Sequence, residues 1–175
     1  MERHELAAAI FRTSHLKGDF RLRSGALSSE YFDKYRFESD PSLLSAIALA
    51  LKALVPAQTQ VLAGLELGGI PIATVLSQMT GLPAVFVRKA AKPYGTCQIA
   101  EGRAISGQTL LLVEDVVTSG GQLIESAGAL RNLGAIVSDA VCVIDREAGG
   151  AAMLAKADIT LHSLFRMTEL KAAAA

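Results

Sequence analysis

The sequence has no tryptophan, and aromatic residues make up 5% of its 175 residues, with two cysteines and three histidines. Cys97 and Cys142 are far apart and follow no metal-ligand spacing, so we expect reduced thiols in a cytoplasmic protein. His4, His15 and His162 form no metal-binding motif and are expected to be surface or packing residues. The sequence therefore excludes a disulfide scaffold and predicts no metal centre built from its own side chains.

An excess of charge of either sign is also missing. The chain carries 17 basic and 17 acidic side chains, so nucleic-acid partners, which need a basic surface, are not expected. The longest apolar segment, Leu43 to Val55, contains Lys52 and is shorter than the roughly 20 residues that span a bilayer. The charged, amphipathic segment Met1 to Leu16 does not look like a signal peptide, so no membrane association is expected.

Aliphatic residues dominate a composition that is 51% hydrophobic, which suits buried parallel strands covered by helices. The length suits one domain, residues 1–175, with a self-sufficient core. Apolar runs alternate with segments of helical period along the chain. This alternation predicts an α/β fold with a mostly parallel central sheet, and ligands at the carboxyl ends of its strands.

The predicted elements follow from apolar periodicity and from capping and turn residues. Helices are predicted at Glu2 to Thr13, Pro41 to Val55, Gly68 to Thr80, Gly149 to Lys156 and between Gly121 and Gly134. Strands are predicted at Phe20 to Arg23, Tyr31 to Tyr35, Val61 to Leu67, Ala84 to Lys89, Thr109 to Val117, Ile136 to Ile144 and Ile159 to Phe165. Ala90 to Ser106 is expected to form a long loop of the kind that closes over a site, and Ala172 to Ala175 to fray.

The most informative segment begins with four apolar residues, Leu110 to Val113, followed by Glu114 and Asp115. Next comes a turn, Thr118 to Gly121, which opens a helix. Backbone N–H groups and the positive end of the helix would bind a phosphate there, with the carboxylates near sugar hydroxyls. A plain connection with a solvated strand end is the alternative, and the adjacency of the acids to the turn favours the phosphate site.

This segment resembles the phosphoribosyl-pyrophosphate signature of the type I phosphoribosyltransferases. Four further blocks, in the same order along the chain, resemble the orotate phosphoribosyltransferases of that family; they are Phe20 to Pro41, Gly64 to Pro71, Phe86 to Gly102 and Val143 to Gly150. The resemblance implies the type I phosphoribosyltransferase fold, a mostly parallel central sheet flanked by helices. It also implies a small hood formed largely by the N-terminal segment.

The reaction that the resemblance implies moves the phosphoribosyl group of 5-phospho-α-D-ribose 1-diphosphate (PRPP) to orotate. It yields orotidine 5′-phosphate and pyrophosphate on the route to UMP, with Mg²⁺ bound mainly through substrate oxygens and water. By analogy with glycoside transfer, the transition state is expected to be oxocarbenium-like, so no covalent nucleophile is required. The resemblance further implies a homodimer with shared sites, in which the basic loop of one chain reaches the phosphate site of the other.

The resemblance assigns a role to each matching residue. Glu114 and Asp115 would accept hydrogen bonds from the ribose hydroxyls, and Lys92 would help pyrophosphate leave. The implied PRPP-binding residues are Arg88, Lys89, Lys92, Tyr94, Glu114, Asp115, Val116, Val117, Thr118, Ser119, Gly120, Gly121 and Gln122. The implied orotate-binding residues are Arg23, Tyr31, Phe32, Thr118 and Arg146, whose guanidinium suits the orotate carboxylate.

The chain departs from the family pattern at three positions. Tyr94 stands where many members have His, so a proton-donor role there is not carried over. Arg23 replaces a Lys, and Gly68 stands where some members carry a substrate-contacting Lys. Leu67, Gly68 and Gly69 would leave only backbone N–H groups at that point.

Two alternatives stay open on the sequence alone. The chain could transfer the phosphoribosyl group to another base, although Arg146 and the block around Arg23 favour orotate. It could instead be a non-catalytic regulator that senses PRPP. Such a regulator would be expected to carry a basic surface or a nucleic-acid-binding appendage, and the neutral composition argues against it.

Overall fold

A computed structural model of the protein describes residues 1–21, 25–90 and 99–175. The helices are α1 Arg3–Ser14, α2 Tyr35–Glu38, α3 Pro41–Lys52, α4 Gly69–Thr80, α5 Gly121–Asn132, α6 Gly150–Ala155 and α7 Met167–Ala173. The strands are β1 His15–Arg21, β2 Leu27–Phe32, β3 Val61–Leu65, β4 Ala84–Val87, β5 Ala100–Glu101, β6 Thr109–Val117, β7 Ile136–Asp145 and β8 Thr160–Arg166.

Six strands form the central sheet in the order β5-β4-β3-β6-β7-β8. All neighbours are parallel except β5, which runs antiparallel to β4. The predicted α/β architecture with a mostly parallel sheet is therefore confirmed. Strands β1 and β2 form a separate antiparallel pair in the N-terminal region.

Strand β6 lies in the middle of the sheet and is covered on both faces. Leu111 and Val113 belong to the core shared with α1, α3, α4 and α7, whereas Leu110 and Leu112 belong to the core that contains α5. Successive side chains of a strand point to opposite faces, so this division follows from the pleat. The four-residue apolar run was a sound signal of a strand buried on both sides, and β6 spans the predicted residues.

Local chemistry explains where the helices begin and end. The Asp40 carboxylate accepts hydrogen bonds from the N–H groups of Ser42 and Leu43, at 2.9 and 3.0 Å, and Pro41 occupies the first turn of α3. Such a cap satisfies backbone donors that have no partner within the helix. Helix α4 ends at Gly81, which adopts φ 76°, a left-handed conformation that favours glycine.

The structure corrects the predicted elements at several places. The strand predicted for Phe20 to Arg23 starts earlier, as β1 at His15, and is described as far as Arg21. The strand predicted for Tyr31 to Tyr35 starts at Leu27 and ends at Phe32, and a single helical turn, too short to show a period, starts at Tyr35. The predicted loop Ala90 to Ser106 contains the two-residue strand β5, and its residues 91–98 lie outside the described residues. Helix α7 was not predicted; its Met167 and Leu170 bury their side chains, and it packs on α1. Of the segment predicted to fray, Ala172 and Ala173 belong to α7, and Ala174 and Ala175 follow it.

No helix in the described ranges is long and apolar enough to cross a membrane.

Candidate active site

A cavity of about 220 Å³ opens at the carboxyl ends of β3 and β6, and we call it the first cavity. Its wall includes the turn Thr118 to Gly120 and the first turn of α5. Gly120 has φ 79°, and no described side chain caps the N-terminus of α5. Exposed N–H groups at the start of a helix, with the positive end of its dipole, form a ready site for an anion.

The turn is braced from behind by the start of α6. A Cβ atom at position 150 would lie 2.6 Å from the carbonyl oxygen of Thr118, and one at position 120 would lie 3.2 Å from that of Gly150. Two glycines are thus needed for the backbones to approach this closely. The contact holds the turn in the shape that exposes its N–H groups.

The two adjacent acids at the end of β6 occupy different environments. Glu114 is 9% exposed and lines the first cavity. Asp115 is 0% exposed and is not among the lining residues, so it is neither a solvated strand end nor open to the cavity. The pleat explains the difference, because Asp115 has the same parity as Leu111 and Val113 and points towards the N-terminal region.

A lysine from that region meets the buried carboxylate. The Nζ atom of Lys34 lies 2.6 Å from Oδ2 of Asp115, and the Val116 N–H donates to Oδ1 at 2.5 Å. Lys34 also lines the first cavity and lies over the ring of Tyr35, with 5.3 Å from Nζ to the ring centroid. Lys34 therefore connects the buried carboxylate to the cavity surface.

Glu38 and Glu114 complete a cluster of buried carboxyls around Asp115. Burial, followed by a hydrogen bond with the Asp115 carboxyl, raises the pKa of Glu38 and of Glu114 to about 9. For Asp115 burial alone would raise the pKa, but hydrogen bonds from Glu114, Glu38 and Lys34 outweigh it and lower the pKa. Asp115 thus holds the negative charge of the cluster at neutral pH.

The opposite side of the first cavity is formed by the ends of β3 and β4. Glu66, Leu67 and Lys89 line it, and the Lys89 N–H donates to Oε1 of Glu66. The peptide bond between Glu66 and Leu67 is cis. Arg88 is not among the lining residues; its N–H donates to the Ile99 carbonyl at 2.8 Å.

A second cavity, of about 300 Å³, contains three of the residues assigned to orotate, Tyr31, Phe32 and Arg146. The Arg146 N–H donates to the Val117 carbonyl at 2.8 Å, so this cavity adjoins the end of β6. Its remaining lining residues are Phe11, His15, Ser28, Glu30, Met167 and Lys171. The ammonium of Lys171 and the guanidinium of Arg146 give it two cationic groups.

The structure brings most of the predicted residues together. Around the first cavity lie Lys89, Glu114, Val116, Val117, Thr118, Ser119, Gly120, Gly121 and Gln122. Arg23, Lys92 and Tyr94 fall outside the described residues. Within the described ranges no three His, Cys, Asp or Glu side chains are grouped to hold a metal ion.

Sequence reasoning missed several residues at these cavities. They are Lys34, Tyr35, Glu38, Glu66 and Lys171. The departure at Gly68 could have indicated a closely packed neighbour, because a position without a side chain leaves room for another group. A Cβ atom there would lie 1.6 Å from Oδ2 of Asp115.

Comparison with known proteins agrees with the geometry. A family model for a phosphoribosyl transferase domain matches residues 36–163. The chain is 48% identical over 168 residues to an orotate phosphoribosyltransferase of Nocardioides sp., covering 96% of this chain and 94% of the relative. It is 43% identical over 167 residues to that of Methanocella arvoryzae, covering 95% of each chain.

Solved structures extend the likeness to three dimensions. The orotate phosphoribosyltransferase of Mycobacterium tuberculosis in complex with Fe(III) dicitrate superposes with a TM-score of 0.87 at 30% identity, covering 96% of this chain and 98% of that one. Its complex with 5-phospho-α-D-ribosyl 1-diphosphate gives a TM-score of 0.83 at 28% identity, covering 97% and 98%. The chain therefore belongs to the orotate phosphoribosyltransferases, within the phosphoribosyltransferase family.

Proposed function

We propose that the protein transfers the phosphoribosyl group of PRPP to orotate, giving orotidine 5′-phosphate and pyrophosphate in the synthesis of UMP. The observation that carries the proposal is the pairing of two cavities at the end of β6. One presents an uncapped helix start beside buried carboxyls, and the other presents Arg146 among aromatic side chains.

In the first cavity the 5′-phosphate would accept hydrogen bonds from N–H groups of Thr118 to Gln122. Glu114, which lines the cavity, would bind the ribose hydroxyls. The ionised Asp115, buried next to the cavity, would stabilise the positive charge that develops on the ring. Lys89 would lie on the diphosphate side. Lys92 and Tyr94 are proposed to bind the same diphosphate, together with Arg88, the residue before Lys89.

Magnesium would arrive with PRPP. The donor set fits an ion held by substrate oxygens and water, since the described carboxyls of the first cavity are neutralised by protons or by Lys34 rather than arranged as a cage. The ion would neutralise charge on the leaving diphosphate.

The second cavity would select the base. Orotate carries a carboxylate, and a guanidinium can bind it through two parallel hydrogen bonds. Tyr31 and Phe32 would pack against the planar ring, with Arg23 and Thr118 at its edge. The two cationic groups of this cavity favour an anionic base over neutral uracil, adenine or hypoxanthine.

A direct assay tests the proposed function. The purified protein is mixed with PRPP, Mg²⁺ and orotate, and the loss of orotate absorbance is followed, with uracil, adenine and hypoxanthine run in parallel. Turnover of orotate alone is expected. Turnover of another base, or PRPP binding without transfer to any base, would favour one of the two alternatives named from the sequence.

Replacing Arg146 with alanine is expected to raise KM for orotate about 10- to 100-fold and to leave KM for PRPP nearly unchanged. The variant loses charge-assisted hydrogen bonds, each of about 1.5–3 kcal/mol. Steady-state kinetics with each substrate varied in turn measure both constants, and Lys52→Ala, which removes an exposed cation from α3, is the control. Unaltered orotate kinetics would remove Arg146 from the base site.

The protein is further proposed to act as a homodimer in which the basic loop of one chain completes the site of its partner. Lys92→Ala and Asp115→Ala are each expected to be inactive alone. After the two are unfolded and refolded together, a hybrid dimer contains one site with both parts intact, so part of the wild-type activity should return. A dimer that forms but stays inactive would contradict shared sites.

A further inference from the structure

We propose that Lys34 is a positioning residue of the active site, which keeps Asp115 ionised and fixes its carboxylate next to the first cavity. The inference rests on the proposed function, because it gives Asp115 a task in stabilising the ribose cation. Its evidence is the set of buried contacts that Asp115 makes with Lys34 and with the main chain, which the sequence alone did not predict.

Lys34 and Asp115 form an ion pair in which one partner is buried and the other is partly exposed. Lys34 Nζ lies 2.6 Å from Oδ2 of Asp115, whose side chain is 0% exposed, whereas the Lys34 side chain is 33% exposed and reaches the first cavity. An ion pair with one buried partner depends strongly on its geometry, because the buried charge cannot be solvated if the partner is removed. The negative charge of Asp115 therefore depends on its contact with Lys34.

The absence of a side chain at Gly68 leaves room for the Asp115 carboxylate. Oδ2 of Asp115 occupies the space where a Cβ atom of residue 68 would be, at 1.6 Å. The carboxylate is therefore held between the main chain at Gly68 and the ammonium of Lys34. The Val116 N–H, which donates to Oδ1 at 2.5 Å, fixes the remaining oxygen.

The carboxyls around Lys34 cannot all carry a negative charge. Three carboxyls, those of Glu38, Glu114 and Asp115, share one buried space with the ammonium of Lys34. Like charges this close cannot all be ionised, so the cluster retains protons, and the raised pKa values of Glu38 and Glu114 agree with this. The ammonium of Lys34 decides which carboxyl is charged, and it faces Asp115.

Further ionisable groups surround the same space on each side. They are Asp33 and Tyr35 next to Lys34, and Cys142 and Asp145 on the neighbouring strand β7. Burial, followed by the negative charge of Asp145, raises the pKa of the Cys142 thiol, so it stays neutral. Among the described groups around this space, Lys34 is the cation that pairs with Asp115.

The test compares Lys34→Met, which removes the charge at similar volume, with Lys34→Arg, which keeps it in another geometry. With Lys34→Met the acidic limb of the kcat–pH profile is expected to move up by about 1–3 pH units, since an opposite charge at this distance lowers a carboxyl pKa by that amount. At neutral pH kcat should fall about 10- to 100-fold, with KM for PRPP within about threefold. Lys34→Arg should keep the acidic limb near its wild-type position, and Lys52→Met should change neither quantity.

A second variant separates positioning from stability. Adding Glu38→Gln to Lys34→Met replaces the protonated Glu38 carboxyl with an amide that still donates to Asp115, so the acidic limb should stay where Lys34→Met alone puts it. A Lys34→Met protein that is less stable yet keeps the wild-type pH profile would overturn the proposal, because a purely structural lysine would behave so. If Lys34→Met does not fold, a Lys34→Arg profile shifted as far as predicted for methionine would overturn it equally.

Calorimetric titration with PRPP and Mg²⁺ distinguishes failure of this inference from failure of the proposed function. If the wild-type protein binds PRPP but transfers it to no base, the proposed function fails. The carboxyl ¹³C shift of Asp115, followed against pH by NMR, then still tests Lys34, since its titration midpoint should lie higher in Lys34→Met than in the wild-type protein. Identical pH dependence in both proteins would reject the role of Lys34.

Discussion

Replacing Gly68 with alanine is expected to lower kcat/KM for PRPP about 100-fold while the protein stays folded. The backbone at this position, φ −69° and ψ −29°, accepts alanine without strain. The added Cβ atom would nevertheless lie 1.6 Å from Oδ2 of Asp115, so the carboxylate has to move and its ion pair with Lys34 has to break. The damage therefore falls on the position of a carboxylate that is proposed to act in catalysis, rather than on the core.

Two other glycines provide matched controls, measured by steady-state kinetics and by unfolding in denaturant. In Gly69→Ala the Cβ atom would lie 2.1 Å from the Val113 carbonyl oxygen, a backbone atom of β6, so a large loss of stability is expected. In Gly128→Ala no described atom lies within 4 Å, and a gain of roughly 0.5–1 kcal/mol with unchanged activity is expected within α5. Gly68→Ala with wild-type activity would mean that the position of Asp115 does not matter for catalysis.

Asp115→Asn is expected to lower kcat about 100- to 1000-fold and to change KM for PRPP much less. The amide keeps the volume of the carboxylate but carries no charge, so it cannot stabilise a cationic ribose, and preorganised charges of this kind contribute about 2.7–4 kcal/mol. It also leaves the ammonium of Lys34 without its partner. The loss should appear in kcat because the ribose charge exists only in the transition state.

Pre-steady-state and steady-state kinetics, with PRPP varied, separate the two constants. Asp139→Asn is the control, because Asp139 also lies in a parallel strand and pairs with a ring nitrogen of His162 at 2.7 Å, but it does not line the first cavity. If Asp115→Asn raised only KM, the carboxylate would bind substrate and transition state equally, and the proposed role in catalysis would be wrong.

The parts of the fold that the sequence predicted are those with strong local signals. Strand β6 was predicted with its observed ends because its apolar run is followed by Val116 and Val117 and then by the turn Thr118 to Gly121. The start of α3 was predicted because Asp40 and Pro41 are a cap and a first-turn residue. The one-turn helix α2 gave no periodic signal, and α7 was missed because its apolar residues are few and followed by alanines.

In the candidate site, too, local features could be predicted from the sequence, whereas contacts between distant segments could not. The turn Thr118 to Gly121 is contiguous in sequence, so a phosphate site could be proposed there from a few residues. The contact between Lys34 and Asp115 joins segments that meet only because β6 and the N-terminal region fold together, and no local pattern predicts it. Asp115 could be proposed as a site residue from its place after the apolar run Leu110 to Val113, but its burial could not be predicted.

The two cavities draw on separate stretches of the chain, and among the described residues they share no lining residue. The first is built from segments between Lys34 and Leu123, and the second from segments on either side, ending at Phe32 and starting again at Arg146. On the proposed roles, inherited substitutions in the outer segments would alter the preferred base while the segments assigned to PRPP stay intact. A lineage with this arrangement would then evolve towards new acceptors without losing PRPP binding.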